Sequence, residues 1–163
     1  MENNIQIAGF TAHIKNVSMV LSWTRKIAGQ GTIQLLRAQR VAGEKHLLHA
    51  TYQALLAFQR RENISPDLGM EICLRASAQR QISRAIQLLG IAEGKQRVAA
   101  VLVDCPEALP KLESMLGPQD TRALEFDPER LKAIYKISDQ EVYAYKNVKK
   151  VLIERIALLN LEK

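Results

Sequence analysis

The stretch Arg97-Val-Ala-Ala-Val-Leu-Val-Asp104 constrains the fold of this chain more than any other. Every residue between its charged ends is apolar. A strand with one wet face alternates, whereas a strand apolar on both faces belongs deep in a sheet with cover above and below. The residues before it supply a helix for that cover. Ile82, Ala85, Ile86 and Leu89 fall at i, i+3, i+4 and i+7, the spacing of one buried helical stripe. Arg80, Arg84 and Gln87 take the opposite side. Ser77 is placed to cap the first free amides, and Gly90 to end the helix in the left-handed conformation. Upstream, Met70, Ile72 and Leu74 alternate with Glu71, Cys73 and Arg75, which predicts a strand. The expected centre is strand, basic helix, strand.

From the N-terminus, Ile5-Gln-Ile-Ala-Gly-Phe10 reads as a first strand. A helix is expected from Asn16 with Val17, Val20, Leu21, Thr24 and Ile27 inward, ended by Gly29 and Gly31. Residues 32–38 form a short β-like run that Gly43 turns out of, and residues 44–62 are helical, with Leu47, Leu48, Ala54, Leu55 and Phe58 apolar. A loop around Ser65-Pro-Asp67 and Gly69 follows. Beyond the central strand, residues 106–116 predict a helix stopped by Gly117-Pro118, and residues 122–126 a brief edge strand. Asp127-Pro-Glu129 is a cap followed by proline at the first helical position, and that helix ends near Lys136. Ser138-Asp-Gln-Glu141 has capping-box spacing. It opens a long terminal helix with the stripe Val142, Tyr145, Val148, Leu152, Ile156, Leu159, widened by Val151, Ile153 and Leu158. A helix so apolar has to be buried on more than one side, in its own core or by a partner chain. The expectation is one α+β domain over residues 1–163: a small mixed sheet of about four strands, helices packed around it, and a long C-terminal helix.

A chain of 163 residues buries a core without staples. It has no apolar run of membrane-spanning length and no secretion-signal layout, which points to a soluble, cytoplasmic protein. Cys73 and Cys105 stand alone in apolar surroundings and read as two buried thiols rather than a disulfide. The net charge of +6 is unevenly spread: residues 1–100 carry +7 and residues 101–163 carry −1. A one-sided excess suggests a surface facing a polyanion, and a solvated basic exterior is the plain alternative.

No catalytic constellation emerges. Nucleophile elbows, dinucleotide turns and phosphate loops are absent from the sequence. His46 and His49 are three apart on a helix, yet only Glu44 lies near enough in sequence to help complete a metal set, so packing or surface roles are the default. Cys105, after a strand, lacks a flanking base and reads as structural. No cofactor is expected. The binding signals are stronger. Arg75 at a strand end, Arg80 and Arg84 on the helix, and Lys95 and Arg97 beyond it can gather at one corner, where a helix N-terminus adds free amides for a phosphate. Single-stranded nucleic acid suits such a surface. The same arginines are equally a solvated outer face, and with one Trp, three Phe and four Tyr the chain offers few base platforms.

Several segments together resemble a known family. Arg80-Gln-Ile-Ser-Arg-Ala-Ile-Gln-Leu-Leu-Gly-Ile91 followed by Val98-Ala-Ala-Val-Leu-Val103 is similar to the core motif of the kinase-binding regulatory subunits of the KEOPS (EKC) complex, the family of the PRPK-binding protein. Gly31-Thr-Ile33, the helix with His46 and Ala50-Thr-Tyr-Gln-Ala54, Ile134-Tyr-Lys-Ile137 and Val151-Leu-Ile-Glu-Arg-Ile-Ala-Leu-Leu159 agree in order, the last in an archaeal style. The resemblance implies a non-catalytic subunit that docks on and stimulates an atypical kinase/ATPase. It also implies recruitment of tRNA by its single-stranded CCA end for threonylcarbamoyladenosine modification. It carries RNA contact onto Arg80, Gln81, Ile82, Ser83 and Arg84, to which electrostatics adds Arg75 and Lys95. Kinase docking is expected on Leu152, Ile156 and Leu159, residues that core burial explains equally well. No membrane partner is expected, and the free chain should be a monomer. The family often has a glycine in the turn before the central helix, where this chain has Ala76-Ser77-Ala78, which argues against close backbone approach of a ligand there. A protein-binding adaptor without RNA contact and a small unrecognised enzyme are the competing classes.

Overall fold

The computed structural model describes residues 2–161. Three strands, β1 (Ile5–Ile14), β2 (Thr32–Arg37) and β3 (Gly94–Val103), form an antiparallel sheet in the order β1-β3-β2. The central position of β3 follows from its sequence. Ala99, Val101 and Val103 pack into one apolar cluster and Val98, Ala100 and Leu102 into another, so each face of the strand is covered by different helices. Ile5 pairs with Val103 on one side and Thr32 pairs with it on the other, which fixes both edge strands in register against the same residue.

Around the sheet run α1 (Val17–Ala28), α2 (Gly43–Arg60), α3 (Leu68–Ser77), α4 (Ile82–Leu89), α5 (Leu109–Leu116), α6 (Pro128–Ile134), α7 (Asp139–Tyr145) and α8 (Val148–Leu158). Leu47, Ala54, Ile72, Leu74, Ala85, Leu89 and Ile156, from α2, α3, α4 and α8, cover one face. Val20 of α1 and Leu112 and Leu116 of α5 cover the other. Leu131, Tyr135, Val148, Val151 and Leu152 make a third cluster among α6, α8 and the turn after α6. Cys73 and Cys105 are buried free thiols in clusters on opposite faces of the sheet. No helix among the described residues is long and apolar enough to cross a membrane.

The expected α+β class holds, with three strands in place of about four and an antiparallel sheet in place of a mixed one. Two expected strands are helical. Residues 70–75 belong to α3, whose N-terminus is fixed by Asp67 accepting a hydrogen bond from the Met70 amide at 2.9 Å. The helix is buried on nearly every side, so no polar stripe marks its period and the alternation of Met70, Ile72 and Leu74 is coincidental. Residues 121–124 form a 3-10 turn, started by the Asp120 side chain, in place of the edge strand. The capping box at Ser138 and Glu141 forms as expected. The helix it opens is short, however. Lys146 adopts φ 84°, and Asn147 accepts a bond from the Lys150 amide at 2.9 Å to start α8 afresh. The long C-terminal helix is therefore α8, with α7 as a separate element before it.

Candidate nucleic-acid interface

Helix α4 differs from its expected form in ways that matter for binding. Ala85 and Leu89 are fully buried, but Ile82 and Ile86 are 43% and 47% exposed. The core takes one side of the stripe, and the isoleucines sit on the other. Gln81, Ser83, Arg84 and Gln87 are exposed beside them. The N-cap residue Gln81 makes no side-chain hydrogen bond to the first turn, so the leading amides of α4 have no side-chain cap. Ser77 is the last residue of α3 and bonds back to the Leu74 carbonyl instead of capping α4. Gly90 is extended (φ −61°, ψ 142°), and it is Ala78 that takes the left-handed conformation, at φ 54°. The position where a glycine would be at ease thus carries a methyl group.

Beside α4 lies a cavity of about 400 Å³ lined by Arg40, Gln79, Arg84, Gln87, Leu88 and Ile134. A second, of about 440 Å³, shares Gln79, Leu88 and Ile134 with it and adds Lys136, Arg155 and Leu158. Arg155 is itself held, donating to the Tyr135 carbonyl at 2.6 Å and pairing with Glu141 at 3.1 Å. The sides of this region combine cations, amides and apolar patches, which is what an unstacked nucleotide requires.

The other expected contacts are dispersed. Arg75 is completely buried, so it is removed from the RNA-contacting set. Its Nε donates to Glu71 Oε2 at 2.9 Å, and Nη1 donates to Asn160 Oδ1. Glu71 Oε1 accepts from the amides of Ile64 and Ser65, both at 2.8 Å. Arg75 Nη2 is also 2.9 Å from Oε2 but lacks hydrogen-bond geometry, so this contact is ionic only. Half-buried Arg80 donates to the Leu159 carbonyl at 3.0 Å and ties the start of α4 to the C-terminal end of α8. Lys95 is exposed on β3 opposite His13, beyond the far end of α4. Arg97 bonds the Glu125 carbonyl at 3.1 Å. The expected gathering of these cations at one corner does not occur.

Leu152, Ile156 and Leu159 are at most 1% exposed and pack in the chain's own core, so they are unavailable as a docking surface. The apolar residues left outside at that end are Leu158 and Leu161, 44% and 77% exposed. The sequence reading placed Leu158 only in the widened apolar surface and did not single out Leu161, because the stripe that periodicity identifies is the one the core takes.

His46 is fully buried with both ring nitrogens engaged. Nδ1 accepts from the Ala42 amide at 2.8 Å, which leaves Nε2 to donate to the Ala76 carbonyl at 2.9 Å. Burial lowers its pKa to about 4, so it is neutral and has no lone pair free for a metal. Burial pushes the Cys73 thiol up to about 12 and also raises that of Cys105, the opposite of an activated nucleophile. No group of three or more metal-ligating side chains assembles among the described residues.

Comparison with known proteins adds two findings. A sequence model of the family described as kinase binding protein CGI-121 matches residues 12–160. A protein of Methanocaldococcus jannaschii named regulatory protein Cgi121 is 33% identical over 131 residues, spanning 80% of this chain and 84% of the relative.

Proposed function

Because this chain belongs to the CGI-121 family of kinase-binding proteins, we propose that it acts, as one domain, as the non-catalytic regulatory subunit of a cytoplasmic KEOPS complex. In this role it binds and stimulates the atypical kinase/ATPase subunit and helps recruit tRNA through its single-stranded CCA end for threonylcarbamoyladenosine modification. The observation that carries the RNA half of the reading is the outward face of α4. Isoleucines left half-exposed, an uncapped helix start and Arg84 beside a cation-lined cavity make a surface for bases and phosphates together. RNA contact is assigned to Gln81, Ile82, Ser83 and Arg84, with Arg80 holding the start of the helix in place. The kinase half of the reading rests on family membership, and its docking surface is assigned to Leu158 and Leu161.

The test compares tRNA binding with and without the terminal CCA. Trimming is expected to weaken binding about ten-fold or more, as is Arg84→Glu with Ile82→Ser. Equal binding of whole and trimmed tRNA would end the tail-gripping reading. Leu158→Asp with Leu161→Asp should abolish co-purification with the kinase subunit, and undiminished retention would move the docking surface elsewhere.

A further inference from the structure

We propose that the junction of α7 and α8 is a second RNA-contacting surface, one that takes the phosphate backbone of the tRNA behind its single-stranded end. The inference rests on the RNA reading above and extends it to residues outside α4. Helix α7 contributes no buried residue. Tyr143 is 90% exposed and Tyr145 40%, so both phenol rings stand outside the core. The two acids of α7 are already engaged: Asp139 pairs with Lys132, and Glu141 caps its own helix and pairs with Arg155. Lys146, Lys149 and Lys150 make no ion pair among the described residues, and neither does Glu154, one turn further along α8. Three ammonium groups outside any ion pair and two phenol rings therefore lie within eight residues, with Glu154 four residues beyond Lys150.

That composition favours a nucleic acid over a protein. Lysines are depleted from the cores of protein interfaces because a compact, strongly hydrated charge is costly to desolvate. A phosphate backbone accepts them without that cost, since binding releases condensed counterions. Exposed tyrosines beside lysines add faces on which bases or riboses pack. The start of α7 is linked to α4 through Arg155. The cavity beside Arg84 adjoins the one lined by Lys136 and Arg155, and Arg155 holds Glu141 of α7. An RNA strand whose end lies on α4 leaves it past Lys136 toward the start of α7.

Three RNA probes separate this proposal from the one it rests on: whole tRNA, tRNA lacking CCA, and a short single-stranded oligonucleotide ending in CCA. The triple variant Lys146→Glu, Lys149→Glu, Lys150→Glu should weaken whole and trimmed tRNA alike. It should also lower the slope of log affinity against log salt by about 2 to 3, one contact per lysine, and leave the oligonucleotide unaffected. Tyr143→Ala should weaken both tRNAs less and leave the salt slope unchanged. Arg84→Glu should instead weaken the oligonucleotide. If the triple variant binds both tRNAs with the wild-type slope while the oligonucleotide still binds, the second surface is refuted and the α4 reading stands. If it loses the kinase subunit and keeps its RNA affinity, the surface belongs to a protein. A wild-type chain that binds none of the three probes removes both proposals.

Discussion

Helices α3 and α4 follow one another across residues 78–81, and both combine arginine with branched apolar residues. In α3 nearly everything is buried, Arg75 included, and the arginine is held by a glutamate one turn earlier. In α4 only Ala85 and Leu89 are buried, and Arg84, Ile82 and Ile86 are left to the outside. A charge in α3 therefore serves the fold, where losing a partner is costly. A charge in α4 is free to serve a ligand. Residue type does not separate the two cases. The presence of a local counter-charge does, because Glu71 lies four residues before Arg75, whereas no acidic residue lies within four positions of Arg84.

The strongest way to break this contrast is to orphan the buried charge. Glu71→Ala leaves the Arg75 guanidinium in the core and frees the amides of Ile64 and Ser65, so unfolding by denaturant should show a loss of about 3–5 kcal/mol. Replacing the pair by Glu71→Leu with Arg75→Met removes the stranded charge but still leaves those two amides without their acceptor, and should recover only part of the loss. A cost below about 1 kcal/mol for Glu71→Ala would mean that the pair is solvated and that α3 and α4 are not different in kind.

His46 sharpens the contrast through pH, because it pins the start of α2 to the end of α3 just before the turn into α4. Its pKa in the folded chain is about 4, below the ordinary 6.5, because burial disfavours the imidazolium. The unfolded chain therefore takes up the proton first as pH falls. The contribution of the neutral ring is complete above pH 6.5 and is lost as pH falls through 4. Between pH 7 and pH 4.5 the wild type should lose about 2–3 kcal/mol that a His46→Gln variant, already weaker at pH 7, does not lose. Equal pH dependence in the two proteins would show that the ring is solvated.

The sequence made the core strand fully legible, since an apolar run on both faces admits one placement, and β3 is central as expected. It also made the caps at Asp127 and Ser138 legible, because a short polar side chain before a helical pattern acts locally. Helix α3 was illegible for a physical reason: a helix buried on nearly every side shows no amphipathic period. The break at Asn147 was hidden because the apolar spacing runs across it. At the candidate site, Arg84 and Gln87 could be read as outward, but the exposure of Ile82 and Ile86 could not, since spacing defines a stripe without saying how much of its width the core covers. For the same reason Leu152, Ile156 and Leu159 read as equally good core or docking residues until their surroundings were known.

The smallest effect is the most discriminating, because it divides two arginines four residues apart on the same segment. Arg80 donates to the carbonyl of Leu159 at the end of α8, a charged hydrogen bond on the negative end of a helix, partly screened because the side chain is only half buried. Arg84 makes no hydrogen bond or ion pair among the described residues and lines the open cavity beside α4. Arg80→Ala should therefore cost about 1 kcal/mol of stability. Arg84→Ala should stay within about 0.5 kcal/mol of wild type. RNA affinity measured on the same proteins should rank them the other way, with Arg84→Ala the weaker binder, because its guanidinium is free for a phosphate while that of Arg80 is already committed. If Arg84→Ala destabilises the chain and Arg80→Ala does not, then α4 is held from the side assigned to its ligand, and the division of labour between α3 and α4 does not extend to residues 80–84.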